Sequence, residues 1–125
     1  MTHDAVFGNL IQFKSSDTSR ELFETLIASD SGFRLERIRS TGQSSPLDDW
    51  YDQEEDEWIA VLTGAARLQF ADPLPEIGEF LEMRPGDHIL IPAHCRHRVD
   101  WTAPDVETVW LAIFFSGDSS RAVPE

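Results

Sequence analysis

Cysteine is nearly missing from this chain: Cys95 is the only one in 125 residues, so no internal disulfide can staple the fold. Cations are sparse as well. Ten Lys and Arg stand against 23 Asp and Glu, a net charge of −13 at pH 7. That imbalance excludes nucleic acid as a partner, because gripping phosphates needs a basic face. An anionic membrane surface is disfavoured for the same reason. No apolar run approaches the roughly 20 residues of a membrane span. Met1 to Val6 shows neither the basic start nor the apolar run of a secretion signal. With a single thiol and no such signal, the expected location is the cytoplasm.

What is present is an ordinary globular composition, 41% hydrophobic and 26% charged, with no repeat or linker. One domain over residues 1–125 is therefore expected. A short helix is expected near residues 18–30. There Thr18 and Glu21 have capping-box spacing, Leu22, Phe23, Leu26 and Ile27 fall on one helical face, and Gly32 supplies a left-handed end. Beyond it lie short apolar stretches: Phe33 to Arg39, Glu57 to Leu62, Arg67 to Phe70, Phe80 to Met83, His88 to Ile91, Arg96 to Trp101 and Val106 to Phe115. Turn residues such as Thr63-Gly64, Asp72-Pro73 and Arg84-Pro85-Gly86-Asp87 separate them. This spacing predicts an all-β antiparallel sandwich or barrel over residues 33–115, followed by a short tail, 116–125.

Two of the stretches, Trp58 to Leu62 and Val109 to Phe115, are apolar on both faces. A barrel strand lines the interior with alternate residues only. Their outer faces need cover, which predicts a homodimer.

The residues able to carry chemistry cluster in two places. His94 and His97 sit in Pro92-Ala93-His94-Cys95-Arg96-His97, and imidazole is both a common metal ligand and an acid–base group near neutral pH. The other place is Asp48 to Glu57, which holds seven of the 23 acidic residues. Most of these read as a solvated loop. Glu57 differs, since it shares strand parity with Ile59 and Val61 and so points inward, where a carboxylate needs a metal, a partner or a proton. Trp50, Tyr51 and Trp101 are candidate pocket walls, and Arg39 is a candidate clamp for a ligand carboxylate. Cys95 reads as a small buried hydrophobe rather than a nucleophile.

At these residues the chain resembles the cupins, small double-stranded β-helix or jelly-roll barrels. Their second motif runs glycine, five residues, Pro-x-Gly, two residues, histidine, three residues, asparagine. Gly86, Pro92 and His97 match it, while His94 stands in place of the second glycine and Trp101 in place of the asparagine. The first motif ends in glutamate, six residues, glycine, a spacing that Glu57 and Gly64 reproduce. The resemblance covers roughly residues 40–115. It implies one divalent metal ion (Zn, Fe, Mn or Ni) held by two histidines of His-x-His, the glutamate and the second-motif histidine. Glu57 and His97 carry over. Tyr51 and Gln53, or in the alternative spacing Trp50 and Asp52, occupy the His-x-His positions, so no histidine is available there.

Two readings follow. In the first, Glu57, His97 and Gln53, with His94 drawn in from the turn, hold a divalent ion, and the chain acts on a small polar organic molecule, with Glu57 as the base where the ion is absent. In the second, the barrel is a non-catalytic module that binds or senses a small ligand at a degenerate metal site.

Overall fold

The computed structural model describes residues 4–13 and 17–116, and the described residues contain eight strands and no helix. In chain order they are β1 (Leu22–Ala28), β2 (Arg34–Ser40), β3 (Asp56–Thr63), β4 (Ala66–Leu74), β5 (Gly78–Met83), β6 (His88–Ile91), β7 (His97–Thr102) and β8 (Thr108–Phe115). Five form one sheet in the order β1-β2-β8-β3-β6, and three form a second in the order β5-β4-β7. The pairings between named strands are antiparallel. The strand spacing predicts this all-β antiparallel architecture, and the resemblance to cupins implies its jelly-roll form. The tail residues 117–125 lie outside the described residues.

The core sits between the two sheets and follows strict alternation. On β3, Glu57, Ile59 and Val61 face inward; on β4, Ala66, Leu68 and Phe70 do; on β8, Trp110, Ala112 and Phe114 do. Burying each of the larger of these side chains contributes about 1.5–3 kcal/mol. Thr63-Gly64-Ala65 turns β3 into β4. The turn at Arg84 to Asp87 is tied back to β3, with Gly86 N–H donating to the Val61 carbonyl at 2.8 Å and Val61 N–H to the Asp87 carbonyl at 3.0 Å.

The helix expected at residues 18–30 is not formed. Residues 22–28 are β1, paired with β2 from Leu22 opposite Arg39 to Ala28 opposite Arg34. A helix this short is marginal on its own. The open edge of β2 offers the same backbone groups a full ladder of partners. Leu26 is the extra residue where the register shifts between Thr25 and Ile27, and this bulge carries an apolar pattern that imitates helical spacing. Gly32 does adopt a left-handed conformation, φ +89°. It sits in the β1–β2 turn, where Ser29 N–H donates to the Phe33 carbonyl at 2.9 Å.

Candidate functional site

A cavity of about 90 Å³ opens between the sheets, large enough for a few waters or a ligand of a handful of heavy atoms. Its polar lining comes from Glu21, Glu36, Tyr51, Gln53, Glu57 and His97, and its walls include Phe23, Trp110 and Phe114. Glu57 is the second residue of β3 and His97 opens β7. The loop before β3 brings Tyr51 and Gln53 alongside them. Tyr51 N–H donates to the His97 carbonyl at 2.7 Å, His97 N–H to the Tyr51 carbonyl at 3.2 Å, and His94 N–H to the Gln53 carbonyl at 2.8 Å. Ala93 N–H donates to the Asp56 carboxylate at 2.8 Å, which clamps the turn between β6 and β7 to β3. Of the two possible spacings, it is Tyr51 and Gln53 that line the cavity.

Glu57 and His97 are 6% and 4% exposed. His97 Nε2 lies 3.1 Å from Glu57 Oε1, and the Gln53 amide donates to the same oxygen at 3.1 Å. On the other side of the ring, His97 Nδ1 is 2.8 Å from the Cys95 carbonyl. A carbonyl only accepts, so Nδ1 carries a hydrogen, and the contact with a carboxylate places a second one at Nε2. Acceptors at both ring nitrogens favour its charged form. Burial, the strongest single influence, pushes the His97 pKa down. The Glu57 hydrogen bond, the Cys95 carbonyl and the Glu57 charge together outweigh it and raise the pKa above the ordinary histidine value. The Tyr51 ring leans over His97 with centroids 5.5 Å apart. Burial raises its phenol pKa, partly offset by a hydrogen bond with the Ser45 side chain.

The remaining sequence candidates lie elsewhere. His94 is exposed, with Nδ1 2.9 Å from an Asp52 carboxylate oxygen, so this residue is engaged at the rim and not with Glu57. Arg39 is 8% exposed, but it pairs with Glu107 at 3.0 Å and stacks on the Phe13 ring at 3.6 Å. On β2 it is Glu36 and Ile38 that line the cavity, so alternation turns Arg37 and Arg39 to the outer face. Trp101 is 39% exposed. The register passes from Leu68 opposite Val99 to Arg67 opposite Trp101, so Asp100 is an inserted residue that flips Trp101 out of the His97–Val99 face. Trp50 is half-buried and does not line the cavity. His88 stacks on Trp58 at 5.4 Å, and burial, with the Asp72 charge second, raises the Cys95 thiol pKa.

Glu21, Glu36 and Phe23 are lining residues that sequence reasoning missed. Its spacing from Thr18 suits Glu21 to a helix cap, yet its carboxylate accepts from the Ser40 hydroxyl, and Ser40 in turn accepts from Trp110 Nε1 at 3.2 Å. Burial raises the Glu21 pKa, against the Ser40 hydrogen bond. The alternation of Glu36, Ile38 and Ser40 in β2 was the signal available for Glu36.

The donor set does not fit the divalent ion that the barrel type implies. A protein-held catalytic zinc takes three side-chain ligands. Among the described residues no three His, Cys, Asp or Glu side chains converge. Glu57 and His97 supply two, and both are bonded to each other. The nearest third group, Gln53, turns its amide N–H rather than its oxygen toward them.

Residues 39–114 match the family model described as a cupin domain. None of the functionally curated proteins matches the chain. Among solved structures, a Ralstonia eutropha JMP134 protein provisionally described as a mannose-6-phosphate isomerase is 38% identical, with a TM-score of 0.82 over 90% of this chain and 100% of that one. A cupin superfamily protein from Desulfitobacterium hafniense DCB-2 shares 18% identity at TM-score 0.65, over 82% of this chain and 84% of that one. An RmlC-like cupin from Desulfovibrio desulfuricans shares 19% at 0.64, over 89% and 97%. The two-sheet topology, the Glu57–Gly64 and Gly86–Pro92–His97 spacings and these matches make one statement: the chain belongs to the cupin family.

Proposed function

We propose that this chain binds a small polar organic molecule in the cavity between its sheets without a divalent ion, and that the Glu57–His97 pair is the group the ligand meets. The observation that carries this reading is the convergence on Glu57 Oε1: His97 Nε2 and the Gln53 amide both lie 3.1 Å from it. Side chains at three metal-site positions satisfy one another. An ion at Nε2 would have to displace the hydrogen that His97 holds there. The pair also keeps a proton between a ring nitrogen and a carboxylate at the cavity wall, which equips it for proton transfer as well as binding.

The sugar phosphate in the name of the Ralstonia protein does not suit this cavity. Phosphate recognition uses Arg, Lys or a helix N-terminus. Among the described residues neither Arg nor Lys lines the cavity, whereas Glu21, Glu36 and Glu57 do. The feature of this cavity that suits an isomerase is the proton held by Glu57 and His97, not a phosphate clamp.

Elemental mass spectrometry on protein purified without chelator tests the reading. Metal far below one ion per chain is expected, and it should stay so after incubation with Zn, Fe, Mn and Ni and removal of the excess. Near-stoichiometric metal that Glu57→Ala removes would overturn it.

A further inference from the structure

Resting on that reading of the cavity, we infer that its ligand is a small organic ammonium ion and that Glu21 is the group that reads its charge. The argument is one of unmatched acceptors. The side-chain donors around the cavity are largely engaged: His97 by Cys95 and Glu57, one Gln53 amide hydrogen by Glu57, Trp110 by Ser40, and Tyr51 through its hydrogen bond with Ser45. Acceptors are left over. Both bonds to Glu57 end on Oε1, so on this buried cavity-lining side chain Oε2 has no partner among the described residues. Glu21 receives only the Ser40 hydroxyl.

Charge accounting separates the three lining carboxylates. Glu57 faces the His97 ring, and Glu36 pairs with Arg34 at 3.1 Å. Glu21 forms no ion pair with a described residue, and burial already penalises its charge. A ligand ammonium group beside Glu21 supplies the missing cation, and the faces of Phe23, Tyr51 and Trp110 favour the same charge. A hydroxyl or second amine on the same molecule can donate to Glu57 Oε2. The cavity of about 90 Å³ restricts the ligand to a short chain. An anion meets the opposite situation: three carboxylates line the cavity, and among the described residues the one lining group that can be cationic, the His97 ring, is already engaged by Glu57.

Three probes of one shape test this: 3-amino-1-propanol, its uncharged counterpart 1,3-propanediol and its anionic counterpart 3-hydroxypropanoate, each titrated by calorimetry against the whole chain and the Glu21→Gln variant. Gln keeps an acceptor for Ser40 and removes only the charge. The amine is expected to bind at least tenfold more tightly than the diol, with no binding of the anion. Glu21→Gln should bring the amine's affinity down to that of the diol in the same variant, with circular dichroism showing that the variant is folded. Equal binding of amine and diol, or an amine affinity untouched by Glu21→Gln, would overturn the ammonium assignment. If Glu57→Gln abolished that diol binding, the small-molecule reading itself would stand. No binding of any probe at tens of millimolar would overturn both, and binding of the anion alone would reverse the charge assignment.

Discussion

His97 is held by Glu57 through Nε2, 3.1 Å from Oε1, while the Cys95 carbonyl, 2.8 Å from Nδ1, occupies the other ring nitrogen. Both nitrogens face acceptors, so the folded state favours the charged ring and its pKa lies above the ordinary 6.5. A group with a raised folded pKa contributes stability that is fully present below its unfolded pKa and is lost as the pH rises through the folded value. His97 therefore stabilises this protein in acid and neutral solution and ceases to do so in base. In a proton-detected histidine titration the His97 ring should titrate above 6.5 in the wild type and at lower pH in Glu57→Gln. Urea unfolding should show the two proteins converging as the pH is raised from about 6 to about 9. A His97 midpoint below 6.5, or one that Glu57→Gln leaves in place, would contradict the pairing.

Gly64 and Gly86 both have positive φ, +80° and +94°, but only one is hemmed in. A Cβ on Gly64 would meet Thr108 Cα at 2.6 Å, whereas nothing lies within 4 Å of one on Gly86. Gly86→Ala should then cost only the left-handed backbone, about 1–2 kcal/mol. Gly64→Ala adds a backbone collision and should cost about 2–5 kcal/mol. It also pushes on Thr108, whose hydroxyl closes the turn against Ala65. Chemical denaturation of the two variants checks the order, and equal losses would contradict it.

Legibility in the sequence was uneven for physical reasons. Seven of the eight strands were visible because buried strands alternate and turns need Gly, Pro or Asp at fixed places. β1 was not, because a bulge at Leu26 gives a strand the spacing of a helix and only the neighbouring β2 edge decides between them. In the site, Glu57 and His97 followed from parity and motif spacing, and Tyr51 and Gln53 from counting back. Trp101 escaped because one inserted residue, Asp100, reverses parity without any signature in composition. Arg39, a candidate clamp by sequence, pairs with Glu107 on the outer face, while Glu36, on the opposite face of β2, lines the cavity and was missed. Glu21 was invisible for a different reason: its place beside Ser40 and Trp110 is set by tertiary pairing across two strands.

β1 forms the edge of the five-stranded sheet and leaves Phe23 and Ile27 59% and 53% exposed. On the outer face of β3 and β8, Trp58, Leu111, Ile113 and Phe115 are only partly buried. An apolar edge and face together predict self-association rather than a bare surface. Light scattering at micromolar concentration is expected to give twice the 14.2 kDa chain mass. A monomer mass there would count against the homodimer.

Cys95 lies two residues before His97, yet only its carbonyl serves the ring. Its thiol pKa is raised by burial and, second, by the Asp72 charge. The thiolate is the reacting form, so a raised pKa slows alkylation at neutral pH. Cys95 should therefore react more slowly with iodoacetamide than a free thiol at about pH 7.5. Cys95→Ser retains the backbone carbonyl and should leave the His97 titration and ligand binding where they were. A fast-reacting Cys95, or a His97 midpoint displaced by Cys95→Ser, would show that the thiol belongs to the site, and the pairing of His97 with Glu57 alone would then be an incomplete description of it.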